Sequence, residues 1–281
     1  MTNITNRSKS KKILLNAFDM NSVGHINHGL WTHPRDESNR FNELSYWTEL
    51  AETLEKGLFD GLFIADITGV YDVYQHNIDL TLKESIQLPS HDPSTLVSAM
   101  AAVTQHLGFG ITVNLSYESP YQFARRFASL DHLTQGRIGW NIVTGYLDSA
   151  ERLIGHKGLK DHDLRYEQAE EFLELCYKFW EGSWENDAIQ KDKINRIFTD
   201  PNKVHEIQHE GKFYQSQGVF QVSPSKQRTP VLYQAGASAK GLSFATQHAE
   251  AMFIGADSPE KLKIQVDKIR AQTQQQGRNP D

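Results

Sequence analysis

Three histidines close together are the first residues in this sequence that could do chemistry. His25, His28 and His33 lie in the polar stretch 19–42, with Trp31 among them. Neutral imidazole is a common metal ligand, so the His-x-x-His spacing admits a metal-dependent barrel hydrolase as one reading. The pair stands in a loop, however, and no later segment supplies a clear third ligand and bridging base. No metal site is therefore expected. The mixture of imidazole and indole suits the wall of a substrate pocket better, which makes His25, His28 and Trp31 the expected substrate-side residues. No catalytic base stands out.

Polar residues that end or interrupt apolar runs come next. Asp66 follows the apolar run 61–65 and is either a ligand contact or a cap for the next loop. Thr112 lies inside the run 109–115, where a β-branched residue is ordinary strand structure. Asn141 lies inside 137–143, and asparagine is disfavoured in a buried strand, which tilts that position towards function. His162 and Tyr166 are four apart and project from one helix face, where both could donate to a phosphate or a ring oxygen. Asp161 and Asp163 beside the histidine favour a solvated first turn on these residues alone. Ala235, Gly236, Ala237 and Ser238 precede a helix; small residues admit a ligand to the backbone, and the free N–H groups there attract anions. Taken alone, the stretch reads first as simple capping of the helix by Ser238. Cys176, the single cysteine, falls on a helix core face and reads as packing.

The elements that must position these residues alternate. Strands are expected at 13–18, 61–65, 109–115, 137–143, 230–234 and 251–254. Leu44, Trp47, Leu50, Ala51, Leu54 and Leu58 recur at helical spacing after the first strand. Asp92 with Pro93, Ser119 with Pro120, and Ser258 with Pro259 open further helices, and one more is expected over about 163–180. The strands are continuous apolar runs, as in a parallel sheet covered on both faces. Six strand–helix units in a row predict an α/β fold of the TIM-type (β/α)8 barrel, with insertions, ending after about six of eight units. Residues 1–281 read as one domain, and the polar stretch 184–228, with a turn at Glu210-Gly211-Lys212, reads as a surface insertion holding a small hairpin.

Composition sets the bounds. The 281 residues carry 29 Lys plus Arg against 35 Asp plus Glu, a net charge of −6, which disfavours nucleic-acid binding. A lone cysteine excludes an internal disulfide framework. No segment reaches the roughly 18 apolar residues of a membrane helix. The polar, basic stretch 2–12 lacks the features of a secretory signal, and a cytoplasmic location is expected.

The ordered set of motifs at 59–66, 92–93, 111–114 with 120–121, 136–144, 162–166 and 234–238 resembles flavin-dependent monooxygenases of the bacterial luciferase-like superfamily. The nearest branch looks like the nitrilotriacetate, EDTA, dibenzothiophene-sulfone and long-chain-alkane monooxygenases. The resemblance implies a β/α barrel that uses reduced FMN (FMNH2) from a separate NAD(P)H:flavin reductase. It further implies O2 and a small organic substrate, a C4a-hydroperoxyflavin as oxidant, and a homodimer as the assembly to look for. Carried onto matching positions, it implies flavin contacts at Asp66, Thr112, His162, Tyr166 and Ser238, with Asn141 beneath the ring. His162, Tyr166 and Ser238 would serve the phosphate and ribityl tail. Asp66 and Thr112 would lie nearer the ring. Members of that branch are longer than this chain, so a partial, flavin-binding remnant stands as the alternative.

Overall fold

The computed structural model describes residues 13–236 and 238–280; the expectations for 2–12 and for Ala237 lie outside them. In chain order the elements are β1 (Asn16–Met20), α1 (Leu44–Lys56), β2 (Gly61–Ala65), α2 (Asp79–Lys83), α3 (Val97–Ala102), β3 (Gly108–Asn114), α4 (Pro120–Thr134), β4 (Ile138–Val143), α5 (Asp148–Leu153) and α6 (His162–Tyr177). There follow β5 (Ile189–Asp192), β6 (Ile197–Thr199), β7 (Glu206–Glu210), β8 (Gln215–Val219), β9 (Val231–Gln234), α7 (Ala239–His248), β10 (Ala251–Met252) and α8 (Pro259–Gln275).

β1, β2, β3, β4, β9 and β10 pair in that order, every pair parallel. Successive side chains point to opposite faces. One face takes Trp140, whose ring lies 4.2 Å from Phe123 and 6.0 Å from Phe172, on α4 and α6. Burial of such large rings, about 1.5–3 kcal/mol each, clamps the helices to the sheet. The other face takes Phe18, Phe63 and Tyr233. Phe63 lies 5.4 Å from Phe18 and 5.5 Å from Tyr233, and Phe18 also meets Phe253, just past β10, at 5.4 Å. Rings from the first and last strands of the sheet can touch across this face only because the sheet curls. Gly139 makes room inside the curl, since a Cβ there would lie 2.7 Å from the Tyr233 ring.

Three expectations need correction. The first strand is Asn16–Met20 rather than 13–18. Ile13, Leu14 and Leu15 are exposed, and the ladder starts where Asn16 meets Gly61. The last strand is Ala251–Met252, shorter than expected, and Phe253 just beyond it packs its ring 4.9 Å from Phe63 inside the curl. Leu44 and Leu58, at the ends of the helical pattern of α1, are exposed, and its buried residues are Trp47, Ala51 and Leu54. The stretch 184–228 contains the expected hairpin, β7–β8, and a second one, β5–β6, that the sequence did not signal.

Candidate active site

The C-terminal ends of β2, β3, β4 and β9 surround a cavity of about 290 Å³ walled by Asp66, Asn114, Thr144, Tyr146, Tyr166 and Gln234, among others. A smaller chamber of about 220 Å³ shares Asp66 and Asn114 with it and adds Asp92, Thr112, Tyr117 and Arg126. Together they reach the size of a small-molecule site, roughly 300–1,000 Å³. Asp66 therefore stands on the boundary between the two spaces. Burial, opposed by a backbone N–H at Ile67 and reinforced by the Asp92 charge, pushes its carboxyl up to about 7.

Thr112 and Asn141 face each other across the β3–β4 ladder, and Asn141 Nδ2 donates to Thr112 Oγ1 at 2.9 Å. Asn141 Oδ1 is buried without a partner. The same holds for Gln234: its Nε2 donates to the Tyr166 hydroxyl at 3.4 Å, while Oε1 is buried and unpartnered. Whichever way each carboxamide is turned, one polar atom is left over. A buried polar group without a partner costs about 1–3 kcal/mol. The register sets Asn141 beside Tyr233 on the inner face and Gln234 beside Ile142 on the opposite one, so the two amides do not meet; Gln234 lines the larger cavity and Asn141 lies behind Thr112.

The far end of the site is built around α7. Ser238 caps this helix, accepting from Gly241 N at 3.0 Å. A Cβ at Gly241 would lie 2.7 Å from the Tyr166 hydroxyl and 3.1 Å from Ser238 Oγ, so glycine here lets α6 and α7 bring both hydroxyls together at the helix start. Such an arrangement of hydroxyls and free N–H groups suits a phosphate. Gln234 belongs to this end, through its bond to the Tyr166 hydroxyl, while Asp66 stands at the other side of the cavity; a polar cradle facing a titratable wall fits an elongated anionic ligand such as FMN. His162 is placed less deeply: its ring centroid is 5.1 Å from that of Tyr166, but it is half exposed and its Nδ1 meets Asp163 at 3.0 Å.

The substrate-side candidates separate. His25 is half-buried, 5.0 Å from the Phe18 ring, with Nδ1 engaged by Gln87 Nε2 at 2.8 Å. Desolvation and nearby His28 lower its pKa, favouring neutral imidazole. Trp31 donates to the Glu84 carbonyl at 3.2 Å from an exposed position, and His28 is exposed. Among the described residues, no three His, Cys, Asp or Glu side chains gather as metal ligands. Cys176 is fully buried, and burial raises its thiol well above its ordinary value.

Residues that the sequence left unmarked tie together the loops around the site. Ser149, on α5, accepts from Val70 N at 2.9 Å and donates to Val70 O at 2.7 Å. The hydroxyls of Tyr71 and Tyr146 meet at 2.6 Å. These contacts join the loop after β2 to the loop after β4, across about 80 residues. Gln234 was part of a motif, but nothing in its type distinguished it from an ordinary strand end.

A curled parallel sheet with a polar cavity at its strand C-termini defines an α/β barrel-type, ligand-binding architecture. The chain belongs to the luciferase-like monooxygenase family, which it matches over residues 24–281. It is 54% identical over 272 residues to a long-chain alkane monooxygenase of Geobacillus thermodenitrificans, covering 97% of this chain and 62% of that protein. It is 50% identical over 271 residues to a dimethyl-sulfide monooxygenase of Hyphomicrobium sulfonivorans, covering 96% of this chain and 56% of that protein. The crystal structure of a long-chain alkane monooxygenase superposes with a TM-score of 0.94 over 96% of this chain and 62% of that one. A riboflavin lyase structure containing modified FMN and riboflavin, 40% identical, gives 0.92 over 96% of this chain and 60% of that one. The chain thus spans about three-fifths of the length of the relatives it matches. Among the described residues, no helix is long and apolar enough to cross a membrane.

Proposed function

We propose that this chain is a flavin-dependent monooxygenase that receives reduced FMN from a separate reductase and uses O2 to oxygenate a small organic substrate. The observation that carries this reading is the cavity at the strand C-termini, where the buried Gln234 Oε1 has no partner beside the hydroxyl cradle of Tyr166 and Ser238. Two similar relatives are named as monooxygenases of an alkane and of dimethyl sulfide, and a similar structure contains modified FMN.

On this reading Ser238, Tyr166 and the start of α7 hold the phosphate, with His162 at the rim of that end. Asp66, Thr112 and Asn141 lie towards the ring, and His25, His28 and Trp31 face the substrate. Bound reduced flavin supplies the two electrons that activate O2. The protein's task is to bind, orient and exclude water, since a reactive oxygen species is otherwise lost to side reactions. The Ser149–Val70 and Tyr71–Tyr146 contacts hold two loops together as a wall for that purpose. Asp66, with its carboxyl near 7, can hold or release a proton beside the reacting groups.

The test is to supply the purified chain with reduced FMN, O2 and a panel of alkanes, sulfides and sulfones, and to measure FMN binding and oxygenated product. Binding with turnover supports the proposal. Binding without turnover returns the flavin-binding remnant, and neither result refutes FMN as the ligand; absence of binding does.

A further inference from the structure

Glu151 has no part in the reading above, yet it is a carboxylate only 2% exposed. An unpaired charge at that depth costs several kcal/mol. Here it is met from two sides. The Tyr117 hydroxyl donates to Oε1 at 3.1 Å, and His156 Nδ1 lies 2.7 Å from Oε2. The His156 side chain is 46% exposed, so its ring reaches water. Tyr117 lines the smaller chamber together with Asp66 and Thr112. The three groups therefore form a continuous hydrogen-bonded line from solvent, through a buried wall, to the chamber.

The surroundings keep this line in place. Arg165, itself buried, donates to the Gly145 carbonyl, and its charge acts on Tyr117. A Cβ at Gly145 would lie 2.6 Å from Asn114 Nδ2 and 3.0 Å from the Tyr117 hydroxyl, so glycine permits the close approach. Burial and the Glu151 charge push the Tyr117 hydroxyl up to about 12, against Arg165 and a hydrogen bond from Asn114. Tyr117 thus rests as a neutral carrier. The other ionisable groups around the chamber are Asp66, Asp92, Glu118 and Arg126.

We propose that His156, Glu151 and Tyr117 are a proton path from solvent into the reaction chamber. This inference rests on the monooxygenase reading. With reduced flavin in its anionic form, the overall balance is FMNH⁻ + H⁺ + O2 + S → FMN + SO + H2O, so one proton must enter per turnover. On that reading the site keeps bulk water from the reacting groups during turnover, so the proton needs a fixed route. Tyr117 releases its hydroxyl proton into the chamber; Glu151 takes the His156 Nδ1 proton on Oε2 and, by turning its carboxyl, delivers it to the Tyr117 oxygen; His156 takes a solvent proton on Nε2, and a half-turn of its ring restores Nδ1–H towards Glu151. No electrons move along the path, and each group ends in its starting state.

The test uses the full chain with His156→Ala and Tyr117→Phe. Both variants are expected to fold and bind FMN as the unaltered chain does, and to oxygenate substrate about tenfold slower or more, at the low side of what positioned proton donors contribute. Added imidazole restores turnover in His156→Ala and not in Tyr117→Phe. In the flavin-free protein, the ring ¹⁵N signals of His156 shift in Tyr117→Phe, because the two groups share Glu151. Unchanged turnover in His156→Ala, failure of imidazole to restore a lost rate, or unchanged His156 signals would overturn the path. An unaltered chain that fails to oxygenate any substrate counts against the monooxygenase reading instead, and the His156 signals then still decide whether the three groups are coupled.

Discussion

Replacing Asp66 with asparagine keeps the shape of the side chain and removes its titration. The carboxyl is buried at the boundary of two chambers and is pushed up to about 7 from an ordinary 3.8, by desolvation first and by Asp92 as well, against one backbone hydrogen bond. Raised values of this kind work against stability as pH increases. Between about 4 and 7 the folded protein holds a proton that the unfolded chain has released, so stability falls through that window and levels off above it. At about 1.4 kcal/mol per pH unit, the full span corresponds to about 4 kcal/mol, an upper figure for a site that water partly reaches. Asp66→Asn should therefore gain stability relative to the unaltered chain as pH rises from 5 to 8, the gain flattening above about 7. Urea unfolding at a series of pH values measures this directly. A stability difference that does not change with pH would refute the burial argument for Asp66.

Three further outcomes follow from the packing and the site. Gly139→Ala forces a Cβ to within 2.7 Å of the Tyr233 ring, and should cost about 1–3 kcal/mol in urea unfolding. Ser238→Ala removes the cap of α7, worth about 1 kcal/mol, and should weaken FMN more than riboflavin in fluorescence titrations, since only FMN carries the phosphate. Asn141→Ala removes a buried amide with an unused oxygen, and should weaken flavin binding roughly threefold to tenfold, the equivalent of one ordinary hydrogen bond.

The parts of the fold that were legible in the sequence are those whose local pattern and tertiary role agree. Gly61–Ala65 is an unbroken small-and-apolar run with both faces covered, and its limits match the expectation. Ile13 to Leu15 are just as apolar, yet they are exposed, because where a ladder begins is set by the partner strand and not by hydrophobicity. Asp66 at a strand end, and Thr112 and Asn141 within strands, stood out because polar side chains end or interrupt apolar runs. That Tyr166 and Ser238 belong with them could be expected only from the resemblance, since Ser238 stands 126 positions from Thr112 in the sequence. Gln234 was concealed by an unremarkable sequence context, as its significance lies in an unfilled bond. Tyr117, Glu151 and His156 were invisible for a related reason. Glu151 looks like a surface residue of a short polar helix, and only the packing of α5 against the turn after β3 buries it beside a tyrosine 34 residues away.

As proposed, this chain binds reduced flavin and places one atom of O2 on an organic molecule. Mass spectrometry of the product formed under ¹⁸O2, with chemically reduced FMN supplied to the purified chain, tests it most directly. The account predicts product carrying a single ¹⁸O atom, and none of that label when the chain is omitted. Flavin oxidation that yields only hydrogen peroxide, or product whose oxygen comes from water, would contradict it.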